Sequence, residues 1–249
     1  RDRLNMLWKP DRALLLEQDY QDKRHQIAQY FDKTAVKAWE RLTSNDESLS
    51  FIRESVREGR ERMQSHILER IGENLSGKSV LDAGCGTGNL AMDLAARNAS
   101  VVAVDISPSL IKIARERFSR NDKCKHNGEV KFVWGDMSDP SFGDFDHIVL
   151  MDSTIHYKSS NAIGLVNELC KRAKKSIIFT FVPLTPLLAV KFALGKFFPN
   201  GDRAPAVEPS SEDSIANLIS QNLPGWEISG MKRVSTYFYA SQAVELRRV

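Results

Sequence analysis

The residues of this chain best suited to chemistry are four acidic side chains, each near the end of an apolar run, and a group of alternating glycines. The acids are Asp82, Asp105, Asp136 and Asp152. Gly84, Gly86 and Gly88 follow the first acid at every second position. Glycine allows positive φ angles and close approach of a ligand to the backbone. A strand, a glycine turn and a helix N-terminus in succession bind nucleotides, so the pattern predicts a site for a nucleotide-containing cofactor.

The glycine turn differs from the dinucleotide-binding pattern, which has glycines at relative positions 1, 3 and 6. Here Asn89 occupies the sixth position and Gly88 is the third glycine. Asp82, two residues before the first glycine, is unfavourable beside a pyrophosphate and suits a cationic amino acid group. The arrangement resembles motif I of the class I S-adenosylmethionine-dependent methyltransferases. On this segment alone, an ordinary tight strand-to-helix turn is the structural alternative.

The ends of the next two predicted strands support a cofactor site. Asp105 follows Gly88 by 17 residues, close to the spacing at which an acid reaches ribose hydroxyls. It also suits the N-cap of the helix that follows, and the two roles are compatible. Ile106 is expected on the adenine face, and Asp136, with Met137 beside it, near the adenine amino group. The predicted cofactor-binding residues are Asp82, Gly84, Gly86, Gly88, Asp105, Ile106, Asp136, Met137 and Asp152.

Further polar groups follow the fourth and fifth predicted strands. Ligands of open parallel sheets bind beyond the carboxyl ends of the strands, so the loop after Met151 should face the reacting group. His156 and Tyr157 are its obvious polar side chains, and a histidine there favours a functional role over a structural one. The fifth strand continues into an apolar wall with Arg203 just beyond it. Such a wall suits a large, flat, apolar ligand with acidic tails, although core packing explains most of its residues.

Composition limits the class of protein. The chain has 249 residues, is 42% apolar and carries a net charge of +3, so a sizeable core is expected and nucleic acid is not indicated as a partner. Its three cysteines lack metal-ligand spacing and predict reduced thiols in a cytosolic protein. The longest uncharged stretch, residues 176–190, has 15 residues and two prolines. A membrane-spanning helix needs about 20 apolar residues.

Alternating strand and helix patterns predict an α/β fold, with a Rossmann-like, mostly parallel sheet of seven strands and helices on both faces. The strands are expected near residues 78–82, 100–105, 129–134, 145–151, 175–182, 226–231 and 236–246. The helices of this part are expected near residues 89–98, 108–120 and 160–172, with a further one holding Phe192 to Phe198.

An N-terminal helical lid is expected to cover the ligand end of the sheet. Residues 23–42 and 51–72 show helical patterns, whereas residues 1–22 suggest a loosely docked segment. We therefore expect an N-terminal lid in residues 1–76 and a methyltransferase domain in residues 77–249. The second helix carries four arginines, each of which taken singly is expected on a solvated helix face. They are Arg53, Arg57, Arg60 and Arg62.

Several separated segments resemble a narrower family, the magnesium-protoporphyrin IX O-methyltransferases of bacteriochlorophyll and chlorophyll biosynthesis, in their bacterial branch. Its more specific blocks here are Ile155-His156-Tyr157 and Gly201-Asp202-Arg203-Ala204-Pro205. Others are Tyr30-Phe31-Asp32, Trp39-Glu40-Arg41-Leu42, Val56-Arg57-Glu58-Gly59-Arg60, Met151-Asp152-Ser153-Thr154, Phe179-Thr180-Phe181-Val182-Pro183-Leu184-Thr185-Pro186-Leu187-Leu188, Phe197-Phe198-Pro199-Asn200 and Phe238-Tyr239-Ala240-Ser241-Gln242. The similarity spans residues 24–246.

The resemblance implies transfer of a methyl group from S-adenosyl-L-methionine to a propionate carboxylate of magnesium-protoporphyrin IX, a photosynthetic pigment precursor. It implies His156 and Tyr30 as catalytic residues, with Tyr157 and Arg203 contacting the substrate. It further implies a partnership with the large, porphyrin-carrying subunit of magnesium chelatase. The expected location is cytoplasmic, with peripheral association at the photosynthetic membrane.

The residues leave three alternative functions open. One is another small-molecule O- or N-methyltransferase with an aromatic acceptor, which porphyrin binding would distinguish. Another is a nicotinamide-dependent oxidoreductase on the same sheet, against which the absent glycine at position 89 argues. The third is a non-catalytic cofactor-binding module, which the polar groups after the fourth strand disfavour.

Overall fold

Seven β-strands and seven α-helices form the part of the chain that the computed structural model describes, residues 12–34, 36–43, 51–120, 128–184 and 206–249. The strands are β1 (Ser79–Ala83), β2 (Ser100–Asp105), β3 (Glu129–Trp134), β4 (Phe145–Leu150), β5 (Ala173–Phe181), β6 (Trp226–Ser235) and β7 (Ala240–Arg248). The helices are α1 (Arg12–Gln29), α2 (Val36–Leu42), α3 (Phe51–Ile71), α4 (Asn89–Ala96), α5 (Pro108–Arg120), α6 (Ser159–Cys170) and α7 (Glu212–Asn222). A π-helical turn (Tyr30–Thr34) joins α1 to α2, and a 3-10 turn (Pro140–Phe142) precedes β4.

The strands form one sheet in the order β3-β2-β1-β4-β5-β7-β6. The pairs among β1 to β5 are parallel, whereas β7 is antiparallel to both β5 and β6. The strand order reverses between β1 and β4, which is where open α/β sheets bind their ligands. The predicted mostly parallel, seven-stranded Rossmann-like sheet is therefore confirmed.

The core consists of two apolar layers, one on each face of the sheet. Val80 and Leu81 are neighbours on β1, are both fully buried and belong to different layers, because successive strand side chains point to opposite faces. Residues of α3, α4 and α5 pack on the Val80 side, and residues of α6 and α7 on the Leu81 side. Helices thus cover both faces, as the alternating pattern predicts.

Several predicted element boundaries are wrong. The single helix expected over residues 23–42 is divided by the π-helical turn, and α1 already begins at Arg12, inside the segment expected to dock loosely. Helix α7 was not expected. The last strand begins at Ala240, because residues 236–239 form the turn between β6 and β7. The helix expected to hold Phe192 to Phe198 lies outside the described residues.

Helix α3 packs directly on the turn between β6 and β7, and Gly59 makes that contact possible. A Cβ atom at Gly59 would lie 2.3 Å from the ring of Tyr239. We expect Gly59→Ala to lower the free energy of unfolding by about 1–3 kcal/mol, the usual cost of overpacking, as measured by urea denaturation.

Gly164 of α6 provides the matched control, because a Cβ there would meet nothing within 4 Å. Alanine is the better helix former, so Gly164→Ala should raise the free energy of unfolding by roughly 0.5–1 kcal/mol. Equal effects of the two substitutions would contradict the importance of the Gly59 contact.

Candidate functional site

A cavity of about 320 Å³ lies between the N-terminal helices and the carboxyl ends of the first four strands. Its volume is at the lower end of the ~300–1,000 Å³ that small-molecule sites occupy, so it has room for one ligand of ordinary cofactor size. The loops after β1 to β4 contribute Gly84, Cys85, Gly86, Asp105, Ile106, Gly135, Asp136, Met137, Asp152, Ser153, Ile155, His156 and Tyr157. The N-terminal helices contribute Tyr20, Arg24, Ile27, Tyr30, Phe31, Trp39, Leu42, Arg53 and Arg60.

The glycine turn is fixed to the neighbouring strand by backbone hydrogen bonds and by Asp105. The amides of Gly84 and Cys85 donate to the carbonyl oxygen of Val104 at 2.8 and 3.0 Å. Asp105 accepts from the amide of Gly86 at 2.8 Å and from that of Ser107 at 2.9 Å. Asp105 therefore ties the turn to the start of α5, and burial raises the pKa of its carboxyl group. Ser107 and not Asp105 caps α5, because the hydroxyl of Ser107 accepts from the amide of Leu110 at 3.2 Å. The alternative N-cap role of Asp105 is therefore wrong, and its side chain lines the cavity.

The three glycines have different positions. Gly84 and Gly86 line the cavity with φ angles of +82° and +55°. Gly88 is not among the cavity residues but caps α4, and a Cβ there would lie 2.7 Å from the ring of Phe132. Its absence from the cavity wall indicates that Gly88 shapes the turn, whereas the other two leave room for a ligand.

Asp82 is almost fully buried, and its Oδ2 atom forms no hydrogen bond with any residue that the structure describes. It lines a smaller cavity, of about 70 Å³, that shares Gly84, Cys85 and Arg60 with the larger one. Burial, followed by the nearby Asp105, raises the pKa of the Asp82 carboxyl to about 7. A buried carboxylate oxygen without a partner calls for a cation or donor, so these residues fit the amino group of S-adenosylmethionine.

Cofactor binding should therefore depend on pH. Ionised Asp82 attracts a cationic amino group, so affinity for S-adenosylhomocysteine is expected to fall as pH decreases below about 7, by up to about tenfold per pH unit. Calorimetric titrations between pH 7.5 and 5.5 measure this. The Asp82→Asn variant should bind more weakly at every pH and without that slope.

The ligand-free protein should show the opposite trend. Asp82 holds its proton more tightly in the folded protein than in the unfolded chain. Its contribution to the free energy of unfolding therefore grows as the pH falls from about 7 towards the ordinary pKa of an aspartic acid side chain. If the affinity of the native protein for S-adenosylhomocysteine stayed constant between pH 7.5 and 5.5, Asp82 would not bind a cation.

Asp136 is already engaged in the structure. Its Oδ1 accepts hydrogen bonds from the amide and hydroxyl of Ser138, and Oδ2 is paired with Arg24 of α1. Ile106 and Met137 line the cavity beside it. These residues meet where adenine was predicted, and Arg24 connects that part of the site to the N-terminal helices.

Of the four acids, Asp152 accepts the most hydrogen bonds from residues that the structure describes. Its carboxylate accepts hydrogen bonds from Arg60 at 2.6 Å, Tyr239 at 3.1 Å, Ser241 at 3.0 Å and Thr180 at 3.1 Å. The backbone of Asp152 has φ of +53°, uncommon for a residue other than glycine. The side chain thus joins α3 to three strand ends. Asp152 lines the cavity as predicted, and its carboxylate positions the guanidinium of Arg60.

The structure also brings together the predicted catalytic residues. His156 and Tyr30 both line the cavity, with Phe31 between them at ring-centroid distances of 5.9 and 5.2 Å. His156 is buried, and its Nδ1 lies 3.3 Å from the carbonyl oxygen of Ala206. A carbonyl only accepts, so Nδ1 is the donor in this contact.

Tyr157, predicted to contact the substrate, is a buried part of the cavity wall. Its ring stacks on that of Tyr20 with a centroid distance of 5.1 Å. Burial raises the pKa of both phenols, that of Tyr20 to about 12, so neither serves as a base. Arg203 lies outside the described residues.

The arginines of α3 were underestimated. Arg53 and Arg60 line the larger cavity, and Arg60 lies 4.7 Å from the ring centroid of Trp39. Arg62 pairs with Glu58 on the exposed side of the helix, as expected. Arginines three to four residues apart on one helix face were the available signal, but the side of α3 that faces the cavity depends on the packing of the whole helix.

Comparison with known proteins gives consistent matches. A family model described as "Magnesium-protoporphyrin IX methyltransferase C-terminus" matches residues 150–248, and a methyltransferase domain model matches residues 80–176. The magnesium-protoporphyrin O-methyltransferase of Rhodobacter capsulatus is 42% identical over 229 residues, which cover 92% of this chain and 98% of the relative. The chloroplastic enzyme of Arabidopsis thaliana is 28% identical over 88% of this chain and 69% of its own length.

Solved structures give the same result. The crystal structure of magnesium protoporphyrin IX methyltransferase from Synechocystis PCC 6803, with bound S-adenosylhomocysteine, superposes with a TM-score of 0.80. The two chains are 26% identical, and the match covers 91% of this chain and 100% of the other.

Proposed function

Since the chain belongs to the family of magnesium-protoporphyrin O-methyltransferases, we propose that it methylates a propionate carboxylate of magnesium-protoporphyrin IX, with S-adenosylmethionine as the methyl donor. The reaction belongs to chlorophyll and bacteriochlorophyll biosynthesis. The observation that carries the proposal is the single cavity shared by the glycine turn and His156, in a chain of this family. The cavity has room for the cofactor, and its polar groups are those that the reaction needs.

The cofactor site uses the residues around the glycine turn. The unpaired oxygen of Asp82 would hold the amino group, and the exposed backbone of Gly84 and Gly86 would lie along the cofactor. Asp105 would accept from ribose hydroxyls, because each carboxylate oxygen can accept more than one hydrogen bond. Asp136 and Met137, with Ile106, would surround adenine. S-adenosylmethionine, when bound, supplies an activated methyl group on a sulfonium.

His156 accepts the proton of the substrate acid in this proposal. A propionic acid is ionised in neutral water, but entry into an apolar cavity favours its protonated form. The Nδ1–H of His156 donates to the carbonyl oxygen of Ala206, so Nε2 would accept the proton. The resulting imidazolium holds the carboxylate by a charge-assisted hydrogen bond. The carboxylate oxygen would then form the ester bond to the methyl carbon as the bond from that carbon to the sulfonium sulfur breaks, which leaves S-adenosylhomocysteine. The proton then returns from His156 to solvent.

Tyr30 would close the site from the lid. It lies in the π-helical turn, so its ring enters the cavity opposite the strand ends. The reaction is an in-line displacement, so alignment of the carboxylate oxygen with the methyl carbon contributes most of the catalysis. Exclusion of water by the lid favours the same step.

The N-terminal helices contact the predicted cofactor site at several points. Arg24 pairs with Asp136, and Asp32 accepts a hydrogen bond from the amide of Ser109 at 3.1 Å. Thr87 of the glycine turn donates to Thr43 at 2.8 Å. The lid assigned to residues 1–76 would therefore open and close against the cofactor-binding residues themselves. Since Met63 and Ile67 of α3 are core residues, the second half of α3 would stay fixed.

The decisive experiment incubates the protein with magnesium-protoporphyrin IX and S-adenosylmethionine labelled in the methyl group. The expected product is the monomethyl ester, with label in the ester, together with S-adenosylhomocysteine. A protein that binds S-adenosylhomocysteine but neither shifts the porphyrin absorbance nor forms the ester would contradict the proposed substrate.

We also propose, from the family resemblance, that the porphyrin is received from the large subunit of magnesium chelatase and that the enzyme is cytoplasmic with peripheral contact to the photosynthetic membrane. In the described part of the chain, no helix is both long and apolar enough to cross a bilayer. Co-sedimentation with vesicles and with the chelatase subunit would test the two associations separately.

A further inference from the structure

A cluster of exposed aromatic side chains lies at the start of α3 and on the turn between β6 and β7. Phe51, Tyr237 and Phe238 are 61%, 76% and 47% exposed, and Ile52 beside them is 54% exposed. The ring of Phe51 lies 5.5 Å from that of Tyr237 and 6.0 Å from that of Phe238. Contiguous exposed apolar groups of this kind mark binding surfaces.

The aromatic cluster, defined as Phe51, Ile52, Tyr237 and Phe238, is held in place by hydrogen bonds. The amide of Phe238 donates to the hydroxyl of Ser55 at 3.1 Å, and the hydroxyl of Thr236 donates to the carbonyl oxygen of Ser55 at 2.7 Å. These bonds attach the turn to the first half of α3. A binding surface fixed in advance loses less entropy when a ligand binds.

The cluster is connected to the cavity through the next residue of the turn. The hydroxyl of Tyr239 donates to Asp152, which lines the cavity, at 3.1 Å. Strand β7 is antiparallel to β5, so the turn before β7 lies at the same edge of the sheet as the carboxyl ends of the parallel strands. The cluster and the cavity therefore share one edge of the molecule.

Arg53 supplies a cation next to the cluster. Of the three arginines in the wall of the larger cavity, Arg24 and Arg60 are paired with Asp136 and Asp152. Arg53 is exposed and forms no ion pair with any residue in the described ranges. An exposed guanidinium at the rim of a cavity suits a carboxylate.

The size of the cavity favours a substrate surface outside it. A volume of about 320 Å³ accommodates one ligand of cofactor size, and a metalloporphyrin is itself larger than a small cofactor. Only the reacting propionate needs to reach His156. With the macrocycle at the rim, an apolar surface and a cation for its other carboxylate would be needed there.

We propose that the aromatic cluster is the docking platform for the macrocycle, and that Arg53 binds the propionate that is not methylated. This inference rests on the proposed function and extends it to the substrate. The rings are tilted or edge-on to one another, so their exposed faces and edges are available to a flat aromatic partner by offset stacking or edge-to-face contact. The position of the cation next to the rings would select a porphyrin with more than one acidic side chain, and it would direct the other carboxylate into the cavity.

The test titrates magnesium-protoporphyrin IX into the protein and follows the absorbance shift. The double variant Phe51→Ala/Tyr237→Ala is expected to raise the porphyrin Kd about tenfold, the combined scale of two aromatic contacts. Its Kd for S-adenosylhomocysteine should change less than twofold. The ring-retaining variant Phe51→Tyr/Tyr237→Phe should recover most of the porphyrin affinity, which separates stacking from general damage.

Arg53 is tested in the same titration. Arg53→Gln should raise the porphyrin Kd several-fold at low salt, and by less at high ionic strength because salt screens an exposed pair. Native-like porphyrin Kd in the double alanine variant would overturn the platform. If, in addition, the double alanine variant eluted from a size-exclusion column at a different volume from the native protein, the cluster would be a contact between copies of the chain. If the unmodified protein binds no porphyrin, the proposed function fails first, independently of the cluster.

Discussion

Replacing His156 by alanine is expected to lower kcat about a hundredfold, the scale of one positioned acid–base group and equivalent to about 2.7 kcal/mol of activation free energy. His156 lines the cavity opposite the lid and holds its ring by the bond from Nδ1 to Ala206. Removing it takes away the proton acceptor and the imidazolium that holds the carboxylate. Single-turnover formation of the labelled ester measures the chemical step without product release.

The affinity for S-adenosylhomocysteine separates this effect from damage to the cofactor site. None of the atoms that tie the glycine turn to β2 belongs to His156, so the Kd should remain within a few-fold of the native value. The His156→Gln variant adds a second comparison. Glutamine can donate a hydrogen bond but cannot accept a proton, so it should restore little activity if proton transfer matters. Full activity in the alanine variant would remove His156 from the mechanism.

The sheet and the glycine turn could be predicted because both are local patterns. A β-branched run that ends in an acid and is followed by glycines predicts a strand and the turn after it from neighbouring residues alone. Helix α7 has a comparable local signal. Ser211 caps it by accepting from the amide of Ser214, and Ile215 and Ile219 follow at helical spacing.

The electrostatic roles of the four acids could not be predicted, because they depend on distant partners. By sequence Asp82 and Asp152 are both acids at strand ends. In the fold, the carboxylate of Asp152 accepts hydrogen bonds from Arg60, 92 residues earlier in the chain, and from Tyr239, 87 residues later. The Oδ2 atom of Asp82 accepts no hydrogen bond from any residue in the described ranges. Desolvation and pairing decide which carboxylate remains available for a cation, and both arise only when α3 and the final hairpin pack on the sheet.

The same reasoning explains the arginines of α3. A charged side chain on a helix is usually solvated, and the spacing of Arg53, Arg57 and Arg60 places them on one face without showing that this face meets the cavity. Arg62 pairs with Glu58 within the helix, whereas Arg60 turns to Asp152 and Trp39. The π-helical turn begins at Tyr30, which lines the cavity.

Gly84→Ala is expected to abolish measurable cofactor binding, with a loss of affinity of at least about a hundredfold, since the added side chain would displace Ser153, which also lines the cavity. The added Cβ would lie 2.3 Å from the Cβ of Ser153, far inside contact distance, and the φ angle of +82° is strained for any other residue. We expect the free energy of unfolding to fall by roughly 2–5 kcal/mol, the sum of the left-handed backbone cost and the clash. Calorimetry with S-adenosylhomocysteine and urea denaturation measure the two effects.

Gly225 is the matched control for the backbone cost. Its φ angle of +80° is nearly the same, but a Cβ there would meet nothing within 4 Å. Gly225→Ala should therefore lose only about 1–2 kcal/mol of stability and leave the affinity unchanged. Gly88→Ala adds a clash with Phe132 away from the cavity wall, so it should reduce stability more than it reduces affinity. If Gly84→Ala bound S-adenosylhomocysteine like the native protein, the glycine turn would not be the cofactor site, because no bound cofactor could tolerate the displacement that this side chain requires.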